Sequence, residues 1–545
     1  MGWKQLRAKE FKKAFYAGYT NLTKHKEEIN LLNVFPVPDG DTGTNMVLTM
    51  EAAIKEAQKV TAPSIGQIVA AASMGALMGA RGNSGVILSQ LIRGFSQKLA
   101  EKDLITGPNL AVAFQGGVDV AYKAVIKPVE GTILTVAKSF AKNFSRFIDH
   151  GDSIPVALQR AVQQADITLK ETPKMLPVLA QAGVVDAGGK GLLRILEGVV
   201  HSLLGQDVFL EEAAPVSSPA PLKSSLAVLG EKITFTYCAE MIIKGDNLPA
   251  DVIRSRMEPL GDSLLVVGTE QVLKVHIHTD QPGDVLNAAT AFGTMHHLKI
   301  DNMRDQHRES LAEETSAQAA AAVTKEKETG VLAVVAGSGL VEIIKSMGAD
   351  EVISGGQTMN PSIEDIVEGI NRVLAKRVIV LPNNKNIILA AEQAAEMVQK
   401  EVAVIPTRSF PQGLSSLLAF DPAASLPENR EKMTAAIKQV TSGEITYAIR
   451  DSQYNGLSIQ QGDLLGLVNG EIKLTGQDLA TVTLDLLEKM ITANDAEIAT
   501  LFAGEDVNKE DADELLEALR EKFPGLELEM YYGGQPLYYY IISAE

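Results

Sequence analysis

The chain has 545 residues, 46% hydrophobic and 22% charged, which is ordinary globular usage and enough for about three or four domains. Lys and Arg total 50 against 68 Asp and Glu, a net charge of −18; nothing in that balance supports nonspecific nucleic-acid binding or charge-driven docking on an anionic bilayer. The one cysteine, Cys238, leaves no intrachain disulfide and suits a reducing cytoplasm, and neither a signal peptide nor a run of ~18 apolar residues is seen.

Taken in order, the first part reads as helical. Phe11, Phe15, Tyr19 and Leu22 recur at four- and three-residue steps, the mark of an amphipathic helix. Similar patterns cover roughly 45–60, 65–78, 85–101, 108–126, 132–148, 154–171 and 188–204, separated by Gly and Pro clusters and without an alternating strand. Residues 1–210 are therefore expected to form an all-α domain of about eight helices. A Pro- and Ser-rich linker spans 211–225.

From 226 to 308 the period changes. Strands are expected at Ile233–Lys244, Ser263–Gly268 and Val272–His278, with helices at Asp251–Glu258 and Pro282–Phe292, which makes a small α+β domain. A second linker, rich in Ala, Glu, Thr and Lys, covers 309–329. The region 330–545 reads as α/β. Val331–Ala336, Arg377–Leu381 and Val402–Pro406 are short apolar runs suited to a buried parallel sheet. A hairpin turning at Asn469-Gly470, helices near 476–491 and 509–521, and strands Leu526–Tyr531 and Tyr538–Ile542 follow.

The chemistry concentrates in Pro38-Asp-Gly-Asp-Thr-Gly-Thr-Asn45. Asp39 and Asp41 flank one glycine, so both carboxylates can converge on a hard cation such as magnesium. Thr42, Gly43, Thr44 and Asn45 then lead into a helix, whose free N–H groups can hold phosphate oxygens. The same residues would also serve a capped turn. Three further polar helix starts, Gly79–Gly85, Pro128–Leu134 and Ala182–Gly191, favour a phosphate site over capping alone. None matches the P-loop pattern.

Farther along, His276 and His278 share one face of a strand, and Cys238 lies on another strand that can pair nearby. Cys with two His is a zinc-ligand set; a buried cysteine with two exposed imidazoles is the alternative. In the last region the polar loops Ala336–Gly339, Gly355–Asn360 and Pro382–Asn386 follow strands, where open α/β sheets bind ligands, although turn and cap chemistry would use the same residues.

The loop Pro38–Met46 is similar to the G-D-x-D-x-G-x-N-M pattern of the DhaL family, the nucleotide-binding part of dihydroxyacetone kinases. Taken with Asn-Ser-Gly at 83–85, Glu-Gly-Thr-Ile-Leu at 130–134 and Val-Val-Asp-Ala-Gly-Gly at 184–189, the order resembles the fatty acid kinase A subunits of Gram-positive bacteria over the whole chain. The region from 330 resembles the DegV-like lipid-binding fold in part.

That resemblance implies an all-α DhaL-like helical barrel followed by a small α+β domain and an α/β DegV-like domain. It implies ATP held through two Mg2+ ions, with Asp39 and Asp41 as ligands. Asn33 is the nearest polar residue to the third upstream acid of the family. Thr42, Gly43, Thr44, Asn45, Asn83, Ser84, Thr132, Asp186, Ala187 and Gly188 map onto nucleotide-contacting segments, and Cys238, His276 and His278 onto a Zn2+ site. The implied acceptor is a fatty acid held by a separate fatty-acid-binding protein and phosphorylated on its carboxylate to an acyl phosphate. Such an acceptor is already ionised at neutral pH and needs no general base. Arg81 is a candidate to stabilise the transferring phosphoryl group, with an ordinary surface arginine as the alternative. The last domain is expected to dock the partner, and a homodimer is compatible with the pattern. A dihydroxyacetone-type kinase and a nucleotide-sensing scaffold are the competing readings.

Overall fold

The structure is a computed structural model, and it describes residues 4–33, 40–62, 64–125, 127–206, 237–245, 248–268, 272–302, 327–356, 359–494 and 496–545. Residues 1–211 pack with 326–545 as one compact unit, and 212–325 form a second.

The first region is a ring of helices. Its members are α1 (Ala8–Lys24), α2 (Lys26–Leu31), α3 (Thr42–Lys59), α4 (Ile65–Met78), α5 (Gly82–Gln97), α6 (Gly107–Ala124), α7 (Ile133–Asp149), α8 (Ile154–Met175), α9 (Pro177–Ala182) and α10 (Ala187–Leu203). Helix α1 packs on α3; α4, α5, α6, α7 and α8 follow in sequence, and α8 meets α10, which returns to α1. Each long helix turns an apolar stripe inward. On α3 the stripe is Met46, Met50, Ala53 and Ala57, all buried, at three- and four-residue steps. Phe114 meets Phe140 and Phe144 edge-on, with Phe114 to Phe140 at 4.9 Å between ring centroids, while Phe140 and Phe144 stack on each other.

The expectation of no strand in this region needs correction. The short strands β1 (Gln5–Arg7) and β2 (Leu104–Thr106) pair antiparallel, with Leu6 opposite Ile105, both buried. Three residues are too few for an alternating pattern to register. Two short helices, α2 and α9, also add to the eight expected.

The second unit holds four antiparallel strands, β3 (Tyr237–Lys244), β4 (Asp262–Gly268), β5 (Val272–Thr279) and β6 (Thr294–Asn302), which form one sheet in the order β4-β5-β3-β6. Helices α11 (Ala250–Met257) and α12 (Pro282–Thr290) supply Ile253, Met257, Val285 and Ala289 to a core with Ala239, Met241, Val275 and Ile277 of the sheet. The strand β6 is not among the expected strands; its sequence, with two His, Lys, Asp and Asn, alternates apolar and polar residues only over Leu298-Lys-Ile-Asp301.

In the last region β7 (Lys327–Val335), β8 (Glu351–Ser354), β9 (Ala375–Leu381) and β10 (Glu401–Val404) form a parallel sheet in the order β10-β9-β7-β8. The three apolar runs read from the sequence are its two central strands, β9 and β7, and the edge strand β10. A six-stranded mixed sheet follows. It comprises β11 (Thr441–Tyr447), β14 (Leu464–Val468), β15 (Glu471–Gly476), β16 (Ile498–Ala503), β17 (Glu527–Tyr532) and β18 (Tyr540–Ala544), in the order β15-β14-β11-β18-β16-β17. Between β11 and β14, β12 (Ser452–Tyr454) and β13 (Leu457–Ile459) make a separate hairpin. At the expected turn, Asn469 and Gly470 have φ of 50° and 80°, the left-handed geometry a two-residue hairpin turn requires.

The linker 211–225 lies outside the described residues, as does most of 309–329. Its last three residues are an exception: Lys327 to Thr329 belong to β7, where Thr329 pairs with Arg377. Among the described residues no helix is long and apolar enough to cross a membrane.

Candidate functional site

The start of α3 is built from Asp41 onward. The Asp41 carbonyl accepts the N–H of Asn45 at 2.8 Å, closing the first turn. Asp41 itself is buried, 7% exposed. Helix α2 braces this turn from the side. Asn30 Oδ1 accepts the Thr44 N–H at 3.1 Å, and Asn30 Nδ2 donates to Thr44 Oγ1 at 3.2 Å. Thr42 Oγ1 donates to Asn33 Oδ1 at 2.5 Å. Asn33 thus holds the threonine of the loop. Gly43 lies so close to α2 that a Cβ would fall 2.3 Å from the Lys26 carbonyl oxygen. Asp39 lies outside the described residues.

The second helix start meets the first. Gly82 has φ of +56°, and a Cβ there would sit 2.6 Å from Asn45 Nδ2. That left-handed residue turns the chain into α5, bringing Asn83 and Ser84 to its first turn. The other two starts meet each other. The Asp186 carboxylate caps α10 through the Gly189 N–H at 2.7 Å and also accepts the N–H of Ile133 at the start of α7. Ala187 and Gly188 are buried behind it. Burial pushes the Asp186 carboxyl up to about 6, against the lowering effect of those two N–H donors. Beside it, the Thr135 hydroxyl donates to Glu130 at 2.5 Å and holds that carboxyl below its usual range. The Thr132 hydroxyl donates to the Val129 carbonyl at 2.8 Å.

Gly191 joins the two pairs: it packs against Met46 of α3, where a Cβ would meet the sulfur at 2.5 Å. The four helix starts therefore gather at one end of the ring. They divide by chemistry, however. The α7 and α10 starts are already stapled by an anionic group, Asp186. The α3 and α5 starts present backbone N–H groups beside a buried carboxylate and amide side chains.

This end of the ring abuts the last region. Arg81 Nη1 donates to the Asn360 carbonyl at 2.9 Å, its Nη2 lies 3.5 Å from Asp365 Oδ2, and its backbone forms a β-bridge with Ser362. The Ile363 N–H donates to the Ala80 carbonyl at 3.1 Å. Arg81, the candidate phosphoryl-stabilising group, is thus engaged in an inter-region clamp. Asn360 Nδ2 donates to Asp41 Oδ2 at 2.5 Å. Nearby, Asn83 Nδ2 reaches Asn386 Oδ1 at 3.4 Å and Gln90 Nε2 donates to Gln393 Oε1 at 2.9 Å. A cleft of about 400 Å³ opens at this seam; Asn83, Thr132 and Lys127 line one wall, and Lys385, Arg408 and Glu392 the other.

Asn30 and Asn360 escaped the sequence reading as site residues. Asn30 sits in the short helix α2, which is not among the helices expected from the sequence, and Asn360 lies 319 residues from the carboxylate it touches. The only available signal for Asn360 was its polar loop after a strand.

In the second unit the register sets Cys238 opposite His278, while His276 pairs with Glu240 two residues along. These residues alternate with the buried Ala239, Met241, Val275 and Ile277, so their backbone positions fall on the other face of the sheet. Their side chains lie outside the described residues. Among the described residues no group of three or more His, Cys, Asp or Glu is placed to hold a metal ion.

Three family descriptions match successive parts of the chain. They are the DAK2 domain over 36–201, and the middle and C-terminal domains of the fatty acid kinase A-subunit-like family over 234–310 and 330–545. Protein YloV of Bacillus subtilis (strain 168) is 43% identical over 554 residues, covering all of both chains. An uncharacterized protein of Staphylococcus aureus (strain USA300) is 42% identical over 549 residues, 99% of this chain and 100% of that one. Among solved structures, the dihydroxyacetone kinase of C. freundii in complex with AMP-PNP and Mg2+ is 18% identical, covers 35% of this chain and 33% of that chain, and has a TM-score of 0.29. DegV, a fatty acid binding protein from Bacillus subtilis, is 13% identical, covers 40% of this chain and 99% of that chain, and has a TM-score of 0.31.

Proposed function

The chain belongs to the fatty acid kinase A-subunit-like family, and from that premise we propose that it is the ATP-dependent phosphotransferase component of a two-protein system. Its acceptor is the carboxylate of a fatty acid presented by a separate fatty-acid-binding protein, and the product is an acyl phosphate. The observation that carries the reading is the buried Asp41 at the start of α3, with the start of α5 against it.

The donor set suits a hard divalent cation: Asp41 offers carboxylate oxygen, and the Asn and Thr side chains around it offer neutral oxygens. Asp39 and Asp41 would hold Mg2+, and Asn33 would orient the loop through Thr42. The cation supplies charge neutralisation at the phosphates. The first-turn N–H groups of Thr42 and Gly43 on α3, and of Asn83 and Ser84 on α5, would orient phosphate oxygens. Lys127, Lys385 and Arg408 around the cleft complement polyphosphate charge. Asp186 would act from behind, holding the α7 and α10 starts in place, with Thr132, Ala187 and Gly188 beside the nucleotide.

The acceptor carboxylate attacks as an anion, so the site needs positioning and charge stabilisation rather than a base. Arg81 would contribute to that stabilisation only after leaving the clamp on Asn360 and Asp365. Docking of the acyl-carrying partner is assigned to the last region. In the middle region the pairing of Cys238 with His278 supports Zn2+ on Cys238, His276 and His278.

The deciding experiment gives the purified chain ATP, Mg2+ and either a fatty-acid-loaded binding protein or dihydroxyacetone. ADP and acyl phosphate with the loaded protein alone is the expected result. Turnover with dihydroxyacetone and none with the lipid would overturn the acceptor assignment, and no turnover with either would favour a nucleotide-sensing scaffold.

A further inference from the structure

The geometry points to Asn360, from the last region of the chain, as a residue of the cation site in the helical region. This inference rests on the reading of Asp41 as a cation ligand.

Asn360 is 1% exposed. Its backbone carbonyl is fixed by Arg81 Nη1, and its Nδ2 donates to Asp41 Oδ2 at 2.5 Å. Its Oδ1 is buried and has no hydrogen-bond partner among the described residues. Buried amide oxygens are almost always paired, so an orphan beside a buried carboxylate calls for an explanation. Packing does not force the side chain there, because the two ends of an asparagine amide have nearly the same shape and a half-turn about its last torsion leaves the contacts unchanged.

Charge explains the orientation. Facing a bare carboxylate, only the NH2 end is attracted. Facing a carboxylate that shares a divalent cation, the oxygen end is attracted, either to the cation or to a water in its shell. Asn360 therefore has two orientations of equal size and opposite polarity, selected by the charge at Asp41. The NH2 end restrains Asp41 without the cation; the carbonyl end supports the cation once bound. Gly82, at the start of α5, lies within a Cβ's reach of both Asn45 Nδ2 and Asn360 Nδ2, so the amide sits among the groups assigned to phosphate binding. The backbone of 360–363 is pinned to Ala80 and Arg81, which holds the amide at this point.

The last region thereby becomes part of the catalytic unit: its contact with the helical ring sets how tightly the cation is held. Partner docking that shifts this region would alter cation affinity.

The test measures binding of AMP-PNP to the full chain by calorimetry across a MgCl2 titration. Asn360→Ala is expected to raise the half-saturating Mg2+ about ten-fold or more, in the range seen when groups that orient metal ligands are removed. Asn360→Asp, which keeps the shape and adds a permanent oxygen donor, is expected to lower it. These opposite shifts separate a role toward the cation from a merely structural one, which would move both variants the same way. Asp41→Ala is the control and should abolish the Mg2+ dependence. If Asp41→Ala leaves that dependence intact, the underlying site reading fails. If Asp41→Ala abolishes it while both Asn360 variants stay within about two-fold of the parent, the contribution of Asn360 alone is refuted. Thermal unfolding without Mg2+ identifies a variant that fails to fold, and Asn360→Asp, isosteric with the parent, then decides the question.

Discussion

Asn30 grips Thr44 at two points, accepting its backbone N–H at 3.1 Å and donating to its hydroxyl at 3.2 Å. One side chain from the short helix α2 thereby sets the first turn of α3, on which the cation and phosphate reading depends. Removing it in Asn30→Ala leaves both Thr44 groups without this partner. The expected result is a loss of about 1–2 kcal/mol in urea unfolding, with AMP-PNP affinity falling as well.

Asp41→Ala removes the buried carboxylate. Phosphoryl transfer is expected to fall on the order of 100-fold or more, read as ADP release with a lipid-loaded partner. Binding of that partner, followed by interferometry, should be preserved, and an unchanged turnover rate would sink the assignment of Asp41.

Gly43→Ala tests the close approach of α3 to α2. The added methyl would meet the Lys26 carbonyl, a backbone atom with little room to move, at 2.3 Å. Destabilisation of about 1–3 kcal/mol is expected, accompanied by loss of nucleotide binding. If Gly43→Ala binds AMP-PNP as the parent does, the tight fit between these helices is not what shapes the loop.

Asp186 sets a pH dependence. Its carboxyl titrates near 6 in the folded chain against 3.8 as the ordinary value. Between those pH values the folded state keeps a proton that the unfolded state has released. Stability should therefore fall as pH rises from about 4 to about 6 and level off above, by at most about 3 kcal/mol from this group. Asp186→Asn should flatten that slope in urea unfolding between pH 4.5 and 7. A slope that persists in the variant would assign it to another group.

Zinc on the middle region is checked by metal analysis of the purified chain. About one zinc per chain is expected, with Cys238→Ser and His278→Ala each reducing it. Equal zinc in the parent and in both variants would place the metal elsewhere.

The helical region was readable from the sequence because amphipathic helices leave a three- and four-residue period that needs no knowledge of neighbours. Met46, Met50, Ala53 and Ala57 show it on α3. The four polar helix starts were readable for a similar reason, since helix termini demand Gly, Asp, Asn and Thr locally. The apolar strands β7, β9 and β10 were visible as runs, whereas β6 and β11 were not, since a polar or mixed strand is defined by the strands it pairs with. Strand β7 begins within the stretch read as linker for that reason: Lys-Glu-Thr at 327–329 looks like linker, yet pairing with β9 makes it strand.

What the sequence determined by itself was the helical character of the first region, the positions of its polar helix starts and the apolar strands β7, β9 and β10 of the last region; phosphate and cation chemistry at the loop from Pro38 to Asn45 is what it proposed. These follow from local periods and from the demands of chain turns. The tertiary structure decided which starts meet: α3 with α5, and α7 with α10 through Asp186. It also decided that Arg81 is committed to Asn360 and Asp365, and that Asn360 reaches Asp41 across 319 residues. No local pattern encodes such contacts, because they arise only when the packing of whole regions brings distant side chains within hydrogen-bonding distance.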